Sequence, residues 1–360
     1  MTHYVHQLDP FAIQFTETMG IRWYGLAYLG GFLSTYLISV WLAKRGRIQL
    51  SVEKAGDFIT WVAIGTLAGA RLGYCLFYSP ELFIQFGSSF PFWGVLEVHK
   101  GGMSSHGGIV GVMFVCWWFA KRGGFSALHL IDLTAYSGAI GIIFGRIANF
   151  INGELYGRVA PEAYKWAVKF PTELHYWANY KVQELKRLIP ALGSLEPVKN
   201  SKGQTLVFDA DKWLEWVNRY RLDSVAYDNV NSVIEKVIWS TQNGKTEVIE
   251  ALQTVLTPRY PSQLFQFFLE GFLVWLVMTI VWFKPRKAGI IAGVFGFSYS
   301  VARIVGEQYR MPDAHIGFQW LGLTRGQWLS VGFIFFVIGF LTVALKMDNP
   351  KLGGFLQNSK

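Results

Sequence analysis

Long apolar stretches alternate with short polar connections along this chain, and the pattern predicts helices that cross a membrane. A helix needs roughly 17 to 25 mostly apolar residues to span the hydrocarbon core of a bilayer. Seven stretches meet this criterion. They are Tyr24–Leu42, Phe58–Tyr78, Met103–Ala120, Leu128–Ile147, Leu264–Phe283, Gly289–Glu307 and Trp328–Leu345.

Basic residues predict the orientation of these spans. Short loops rich in lysine and arginine stay on the cytoplasmic side of a membrane. Such loops follow the first, third and fifth spans, so we expect the N-terminus outside and the C-terminus inside. The residues concerned are Lys44, Arg45, Arg47, Lys54, Lys121, Arg122, Lys284, Arg286 and Lys287.

Residues 159–258 have a different character, because they contain no apolar span and carry 12 basic and 12 acidic residues. Lys165–Phe170 and Thr205–Phe208 favour short strands, whereas Asp211–Tyr220 and Val233–Trp239 favour helices. The sequence therefore predicts an all-α polytopic membrane protein of seven transmembrane helices. A small α/β extracytoplasmic head domain is inserted between helices four and five.

This prediction divides the chain into three regions. Residues 1–158 contain an N-terminal arm and helices one to four, and residues 159–258 form the head. Residues 259–360 contain helices five to seven and a cytoplasmic tail. Composition agrees, since 52% of residues are hydrophobic, 16% are charged and the mean hydropathy is +0.28. The head is neutral, so the net charge of +9 lies in the membrane part. That placement favours cytoplasmic anchoring over nucleic-acid binding.

Cys75 and Cys116 lie in apolar runs near opposite faces of the bilayer, so we expect no disulfide.

Glycines recur four positions apart in the second and third predicted spans. Gly65, Gly69 and Gly73 lie in one, and Gly107 and Gly111 in the other. The same spacing separates Gly141 from Gly145 and Gly289 from Gly293. Small residues at this spacing let helices approach closely in lipid. We interpret them as packing positions.

Charged side chains converge at one depth of the predicted bundle. Arg71, Arg146 and Arg303 lie in the outer halves of their spans, and Glu154 and Glu307 lie at the same level. Charges at such depth are costly and usually functional. Two carboxylates cannot neutralise three guanidiniums, so we expect an anionic ligand, and a phosphate in the outer leaflet belongs to a phospholipid headgroup. The alternative is a structural arginine network capped by backbone carbonyls.

His106 is flanked by glycines at the outer end of the third predicted span. Histidine is the usual proton acceptor near neutral pH, and the glycines leave the imidazole accessible. We expect a catalytic role, with a hydrogen-bonding anchor as the alternative.

The densest polar motif is the segment Gly145–Arg158, which we call the signature segment. It resembles the G-R-x-G/A-N-F-x-N-x-E-x-x-G signature of the bacterial prolipoprotein diacylglyceryl transferases. Every fixed position is met, by Gly145, Arg146, Ala148, Asn149, Phe150, Asn152, Glu154 and Gly157.

Four further motifs resemble the same family in the same order along the chain. They are Arg22–Tyr28 for its opening W-Y-G segment, Gly101–Gly108 for G-G-M-S-x-H-G-G, Arg259–Leu264 for R-x-P-S-Q-L, and Tyr299, Arg303, Glu307, Arg310 and Pro312-Asp313 for its late Y-x-x-x-R-x-x-x-E-x-x-R-x-P-D pattern. The chain departs from the family at Gln266, where glutamate is common, and at Arg22 and Tyr260, where histidine is half expected. The head is longer than usual and matches poorly.

The resemblance implies transfer of the diacylglyceryl group of phosphatidylglycerol to the thiol of a lipobox cysteine in prolipoprotein signal peptides, with release of glycerol phosphate. It implies a bacterial inner-membrane location, a site facing the outer leaflet and no cofactor or metal. Arg146 and Arg303 would hold the lipid phosphate, and His106 would be the base. With the convergence above, the expected substrate-binding residues are Tyr24, Arg71, Asn149, Asn152, Glu154, Gly157, Tyr299 and Glu307.

Two other functions fit parts of the pattern. A transporter or flippase of anionic phospholipid also places charges in spans, but its polar groups should extend through the membrane. A metal-dependent phosphatidyl transferase needs an aspartate-rich cluster, and the spans offer only Asp132 near the cytoplasmic face. A purely structural membrane protein would not need arginines gathered at one depth.

Overall fold

The chain is mostly helical in the computed structural model, which describes residues 2–15, 19–98, 101–312 and 317–356. The α-helices are α1 Trp23–Lys44, α2 Val52–Phe77, α3 Ser105–Gly123, α4 Ala127–Ile151, α5 Glu173–Tyr180, α6 Ile189–Leu192, α7 Ala210–Arg219, α8 Ser224–Gln242, α9 Thr246–Val255, α10 Ser262–Gln266, α11 Val274–Val281, α12 Ile290–Gly306 and α13 Arg325–Lys346. A π-helical segment, Phe267–Leu273, joins α10 to α11. The strands are β1 Tyr4–Val5, β2 Phe11–Gln14, β3 Gly20–Arg22, β4 Val168–Lys169, β5 Arg286–Lys287 and β6 Lys351–Leu352.

Helix length and hydropathy identify a polytopic membrane protein. Among the described residues, five helical stretches are long and apolar enough to cross a bilayer, and they are Trp23–Lys44, Val52–Phe77, Ala127–Ile151, Ser262–Val281 and Arg325–Lys346. The third and sixth predicted spans also form helices, but α3 is not among the five and α12 is shorter, at 17 residues. The count of seven spans and their orientation stay predictions.

The chain divides into two compact units, each built from three pieces of sequence. The first unit consists of Met1–Leu26, Gly145–Phe268 and Arg303–Leu329, and the second consists of Ala27–Phe144, Leu269–Ala302 and Ser330–Lys360. The first unit thus contains the whole of the predicted head, residues 159–258, with the whole signature segment and the last turn of α12.

A helical core fills the head segment of the first unit. In α7, Trp213, Trp216 and Val217 face inward at helical spacing and are buried, as the sequence predicts. The helix begins where the Asp209 side chain accepts a hydrogen bond from the Lys212 amide over 2.9 Å. These side chains pack with buried residues of α5, α8 and α9, including Leu174.

Of the two strands predicted in the head, one is confirmed in part and the other is wrong. Only Val168–Lys169 of Lys165–Phe170 is a strand, and it pairs in parallel with β1 of the N-terminal arm. Thr205–Phe208 forms no strand; Thr205 makes a single bridge to Lys199 across a turn. The stretch is too short to extend that pairing, because the chain enters α7 at residue 210.

Close backbone contact joins α2 and α3 in the second unit. A Cβ on Gly69 would collide with the carbonyl oxygen of Gly107, and a Cβ on Gly111 would collide with that of Gly65. The interpretation of the spaced glycines as packing positions is confirmed for α2 and α3, and for Gly293, where a Cβ would collide with the Leu341 side chain. It is not confirmed for Gly141 and Gly145, where an added Cβ would meet no atom within 4 Å. Cys75 and Cys116 are buried and free, as predicted.

The C-terminal tail is anchored in the second unit. β6 pairs with β5, and the Phe355 ring lies 5.7, 5.5 and 6.0 Å from the rings of Trp41, Tyr136 and Trp282. The Arg47 guanidinium donates to the carbonyl oxygen of Gly354 over 3.3 Å. The tail therefore belongs to the aromatic core of this unit.

Candidate active site

The end of α4 carries a connected group of polar side chains, all in the first unit. The Asn149 amide donates to the Tyr24 hydroxyl over 3.0 Å and to Glu154 Oε1 over 2.8 Å. The Arg146 guanidinium donates to Asn149 Oδ1 over 3.5 Å. Asn149 is only 3% exposed, so its two-sided amide fixes the tyrosine, the arginine and the carboxylate relative to one another. The structure thus brings together four of the predicted site residues.

The loop after α4, residues 153–158, is held by donors aimed at its carbonyl oxygens. The chain turns here with positive φ at Gly153 and Leu155. Gln263 Nε2 donates to the Glu154 carbonyl over 2.6 Å, and the Ser262 hydroxyl donates to the Leu155 carbonyl over 2.8 Å. The Thr172 hydroxyl donates to the Gly153 carbonyl. The serine and glutamine of the P-S-Q-L motif therefore have a physical task, which is to fix this 153–158 loop.

Gly157 has no room for a side chain. A Cβ at this position would lie 2.5 Å from the Tyr260 carbonyl oxygen and 2.6 Å from that of Tyr309. The Gly157 amide donates to the Tyr260 carbonyl over 2.9 Å, so the loop passes closely between the segments around Tyr260 and Tyr309. The predicted glycine requirement thus has a steric cause, and a contact with substrate stays a prediction.

Arg303 and Glu307 form a second polar group on the last turn of α12 and beyond it. Arg303 Nη2 lies 2.6 Å from Glu307 Oε1, and Arg310 Nε lies 3.9 Å from the same oxygen. The other carboxylate oxygen accepts a hydrogen bond from the Thr324 hydroxyl over 2.8 Å. Glu307 is 4% exposed, so this buried carboxylate orients the two guanidiniums.

Arg158 links this second group to the 153–158 loop. Its guanidinium donates to the Arg310 carbonyl over 3.0 Å and to the Glu307 carbonyl over 3.1 Å, and its amide donates to the Tyr309 carbonyl over 2.9 Å. The sequence interpretation gave Arg158 no role, although it ends the signature segment. The first unit therefore carries four arginines on two segments of the chain, and planar guanidiniums suit phosphate oxygens. They are Arg146 and Arg158 of the signature segment and Arg303 and Arg310 at the end of α12 and beyond it.

Arg71 lies in the second unit, and its guanidinium forms hydrogen bonds with backbone carbonyl oxygens. It is 5% exposed. Its guanidinium donates to the carbonyl oxygens of Gly94 and Val95 over 2.7 Å each, of Gly101 over 2.6 Å and of Gly102 over 3.0 Å. These contacts match the carbonyl-capped alternative, and a substrate contact of Arg71 stays a prediction.

The remaining predicted residues are placed as follows. His106 is exposed at the start of α3, which the Ser104 side chain caps through the Gly107 amide. Tyr299 stacks on Phe295 in α12, with ring centroids 5.6 Å apart. His106 and Tyr299 belong to the second unit. Asn152 belongs to the first, and its Oδ1 is buried with no hydrogen-bond partner in the described part of the chain.

Asp313 of the late motif lies outside the described residues. Gln266, the departure from the common glutamate, is fully buried, and neither its amide nitrogen nor its oxygen has a hydrogen-bond partner among the described residues.

His6 of the N-terminal arm supports the signature segment and was not predicted. Its ring packs 5.4 Å from the rings of both Phe150 and Phe170. Burial lowers the pKa of His6 to about 4, although a hydrogen bond with the Phe150 backbone opposes that shift. The imidazole is therefore neutral at physiological pH. A lone histidine in a polar arm carries no pattern that would have revealed this contact.

Comparison with known proteins agrees with the motifs. The family described as "Prolipoprotein diacylglyceryl transferase" matches residues 10–343. The chain is 49% identical to the phosphatidylglycerol--prolipoprotein diacylglyceryl transferase of Bdellovibrio bacteriovorus, over 97% of both chains. It is 32% identical to proteins of the same name from Neisseria gonorrhoeae, over 96% of this chain and 99% of the relative, and from Azospirillum brasilense, over 94% of each. The resemblance is confirmed, and the chain belongs to the prolipoprotein diacylglyceryl transferase family.

Proposed function

We propose that this protein transfers the diacylglyceryl group of phosphatidylglycerol to the thiol of the lipobox cysteine of prolipoproteins. The observation that carries the proposal is the connected group of Tyr24, Arg146, Asn149 and Glu154 at the end of an apolar helix, in a chain of this family. A fixed arginine at such a place serves to hold an anionic lipid headgroup.

The proposed reaction is a displacement at carbon. The cysteine sulfur attacks the carbon of the diacylated glycerol that bears the phosphate ester, so a C–S bond forms while the C–O bond to phosphate breaks. The electron pair leaves with the oxygen of glycerol phosphate, and the thiol proton goes to a base. Guanidiniums of Arg146 and Arg303 stabilise the charge that develops on the leaving phosphate.

His106 is the proposed base. A free thiol has a pKa of about 8.5 and is mostly protonated at neutral pH, so a nearby base or positive charge favours attack. The proposal gives binding or shaping roles to the remaining predicted residues. They are Tyr24, Arg71, Asn149, Asn152, Glu154, Gly157, Tyr299 and Glu307.

The proposal includes the membrane arrangement. It comprises seven spans with the N-terminus outside, residues 159–258 as an extracytoplasmic head between spans four and five, and regions 1–158 and 259–360 on either side of the head. The reaction takes place at the outer leaflet of the bacterial inner membrane, with membrane lipid and prolipoprotein signal peptides as partners and no nucleic acid. No cofactor or metal takes part, and transfer that survives a chelator would support this.

The decisive assay uses purified protein with headgroup-labelled phosphatidylglycerol and a lipobox peptide. We expect a thioether-lipidated peptide and labelled glycerol phosphate in equal amounts, and neither product with a serine in place of the peptide cysteine. Arg146→Ala should lower turnover by roughly 10³-fold, because it removes charge stabilisation of the leaving group. Arg221→Ala, which changes an exposed head arginine bonded to the Asn179 carbonyl, is the matched control. Wild-type protein that moves lipid between leaflets without forming a thioether would favour the transporter.

A second measurement addresses the base. His106→Gln should lower turnover, because the thiol then lacks its proton acceptor. Full turnover by this variant would exclude the imidazole as base and leave that task to the arginines.

A further inference from the structure

A buried ion pair connects the head segment to the 153–158 loop. Glu173 begins α5 with a side chain that is 1% exposed, and Arg259, shortly before α10, has one that is 6% exposed. Arg259 Nε donates to Glu173 Oε2 over 2.8 Å, and Arg259 Nη2 donates to Glu173 Oε1. Paired hydrogen bonds of this kind fix the plane of the guanidinium as well as its position.

The third nitrogen of that guanidinium reaches the signature segment. Arg259 Nη1 donates to the Gly157 carbonyl oxygen over 3.1 Å. The Trp177 indole donates to Glu173 Oε1 over 3.0 Å, so the carboxylate is itself held in place. The guanidinium also lies over the Tyr156 ring, 5.0 Å from its centroid. All these residues belong to the first unit.

The main chain around Arg259 does not need this side chain for its course. The Arg259 amide donates to the Val168 carbonyl over 3.0 Å, and the Val168 amide donates to the Arg259 carbonyl over 2.9 Å. A buried ion pair is also weak support for stability, because apolar residues of similar volume often replace one without loss. What apolar residues would not replace is the hydrogen bond to the Gly157 carbonyl.

We propose that Glu173 and Arg259 are positioning residues for the transfer reaction. Glu173 orients the Arg259 guanidinium, and the guanidinium holds the Gly157 carbonyl and with it the loop that carries Glu154 and Arg158. The head segment, which the family resemblance leaves without a role, thereby acts on the signature segment. This inference rests on the proposed function.

The test separates positioning from folding by removing both charges together. Glu173→Gln alone leaves the Arg259 guanidinium buried without its anion, so we expect lower thermal stability and lower turnover. The double variant Glu173→Gln/Arg259→Met removes that imbalance, and we expect most of the thermal stability to return. Turnover should stay at least about ten-fold below wild type with the KM for phosphatidylglycerol nearly unchanged, because a misplaced loop affects the chemical step. Arg221→Met in the head is the matched control.

A second readout does not depend on activity. Hydrogen exchange of residues 153–158 should be faster in the double variant than in wild type, since the Gly157 carbonyl has lost its side-chain donor. Double-variant turnover equal to wild type, or unchanged exchange in this loop, would overturn the inference. Should the double variant not fold, Arg259→Lys keeps the charge but loses the fork, and wild-type turnover by that variant would overturn it equally. Wild-type protein without transferase activity but with the expected exchange pattern would refute the proposed function while leaving the positioning contact in place.

Discussion

Arg71 and Arg303 are both arginines of apolar helices, yet their charges are met in opposite ways. The Arg71 guanidinium donates to four backbone carbonyls of the chain between α2 and α3. The Arg303 guanidinium meets the buried Glu307 carboxylate, which Arg310 also approaches. Neutral carbonyls fix a backbone path around a charge, whereas a shared carboxylate fixes charges relative to each other. The contacts of Arg71 are typical of a structural arginine, and those of Arg303 are typical of a site that binds an anion.

The largest expected difference comes from exchanging each arginine for lysine. Arg303→Lys should lower transfer turnover by roughly 10²-fold, because an ammonium cannot present a planar fork to phosphate oxygens. Arg71→Lys should act mainly on thermal stability. Measurements of turnover and thermal unfolding for both variants check this. An Arg303→Lys variant that uses phosphatidylglycerol at the wild-type rate would contradict bidentate binding of the phosphate by Arg303.

Glycine substitutions extend the comparison to backbone. Gly157→Ala puts a Cβ 2.5 Å from the Tyr260 carbonyl, so the loop must move, and we expect a loss of turnover of about ten-fold or more. Gly69→Ala should instead separate α2 from α3 and lower stability, because the Gly107 carbonyl occupies that space. Gly193→Ala, with no atom within 4 Å of the added carbon, is the control for both. Equal turnover per folded molecule in all three variants would remove the distinction between the two regions.

Removal of the Arg71 side chain measures how much its hydrogen bonds to backbone carbonyls contribute to stability. Arg71→Met gives up four hydrogen bonds worth about 1 kcal/mol each, so we expect the free energy of unfolding to fall by about 4 kcal/mol. Chemical or thermal unfolding in detergent checks the value. Specific activity per folded molecule is the second measurement. A lower specific activity of Arg71→Met would support the predicted substrate contact of Arg71.

The smallest expected effect is a pH dependence of the first unit. The unfolded chain protonates its histidines near pH 6.5, while burial keeps His6 neutral down to about pH 4. The unfolded state therefore binds more protons between these values, so stability is full above pH 6.5 and falls as the pH drops toward 4. Between pH 7 and pH 5 the loss should be about 2 kcal/mol. Unfolding of wild type and His6→Gln across this range tests it, and equal slopes would show that His6 contributes nothing.

Sequence pattern predicted what is local and periodic. The apolar runs located the long helices, and the helix predicted at Asp211–Tyr220 corresponds to α7. The signature segment pointed to Arg146, Asn149 and Glu154 as one group, since a motif of this length leaves little freedom for its members.

Pairings between distant positions could not be predicted. β4 finds its partner in β1 of the N-terminal arm, and no periodicity encodes that register. The donors that hold the 153–158 loop come from Thr172, Ser262 and Gln263. Ser262 and Gln263 belong to a motif, but a motif does not say which carbonyl it serves. Glu173 belongs to none, so only coordinates reveal its contact.

The anchored tail has a practical consequence for reporter fusions. Phe355 fills a gap between the rings of Trp41, Tyr136 and Trp282, and Arg47 caps the Gly354 carbonyl. A tag joined just after α13 would discard this plug and expose the tryptophans to water. Purification handles should therefore be appended beyond residue 356, where they leave the plug seated.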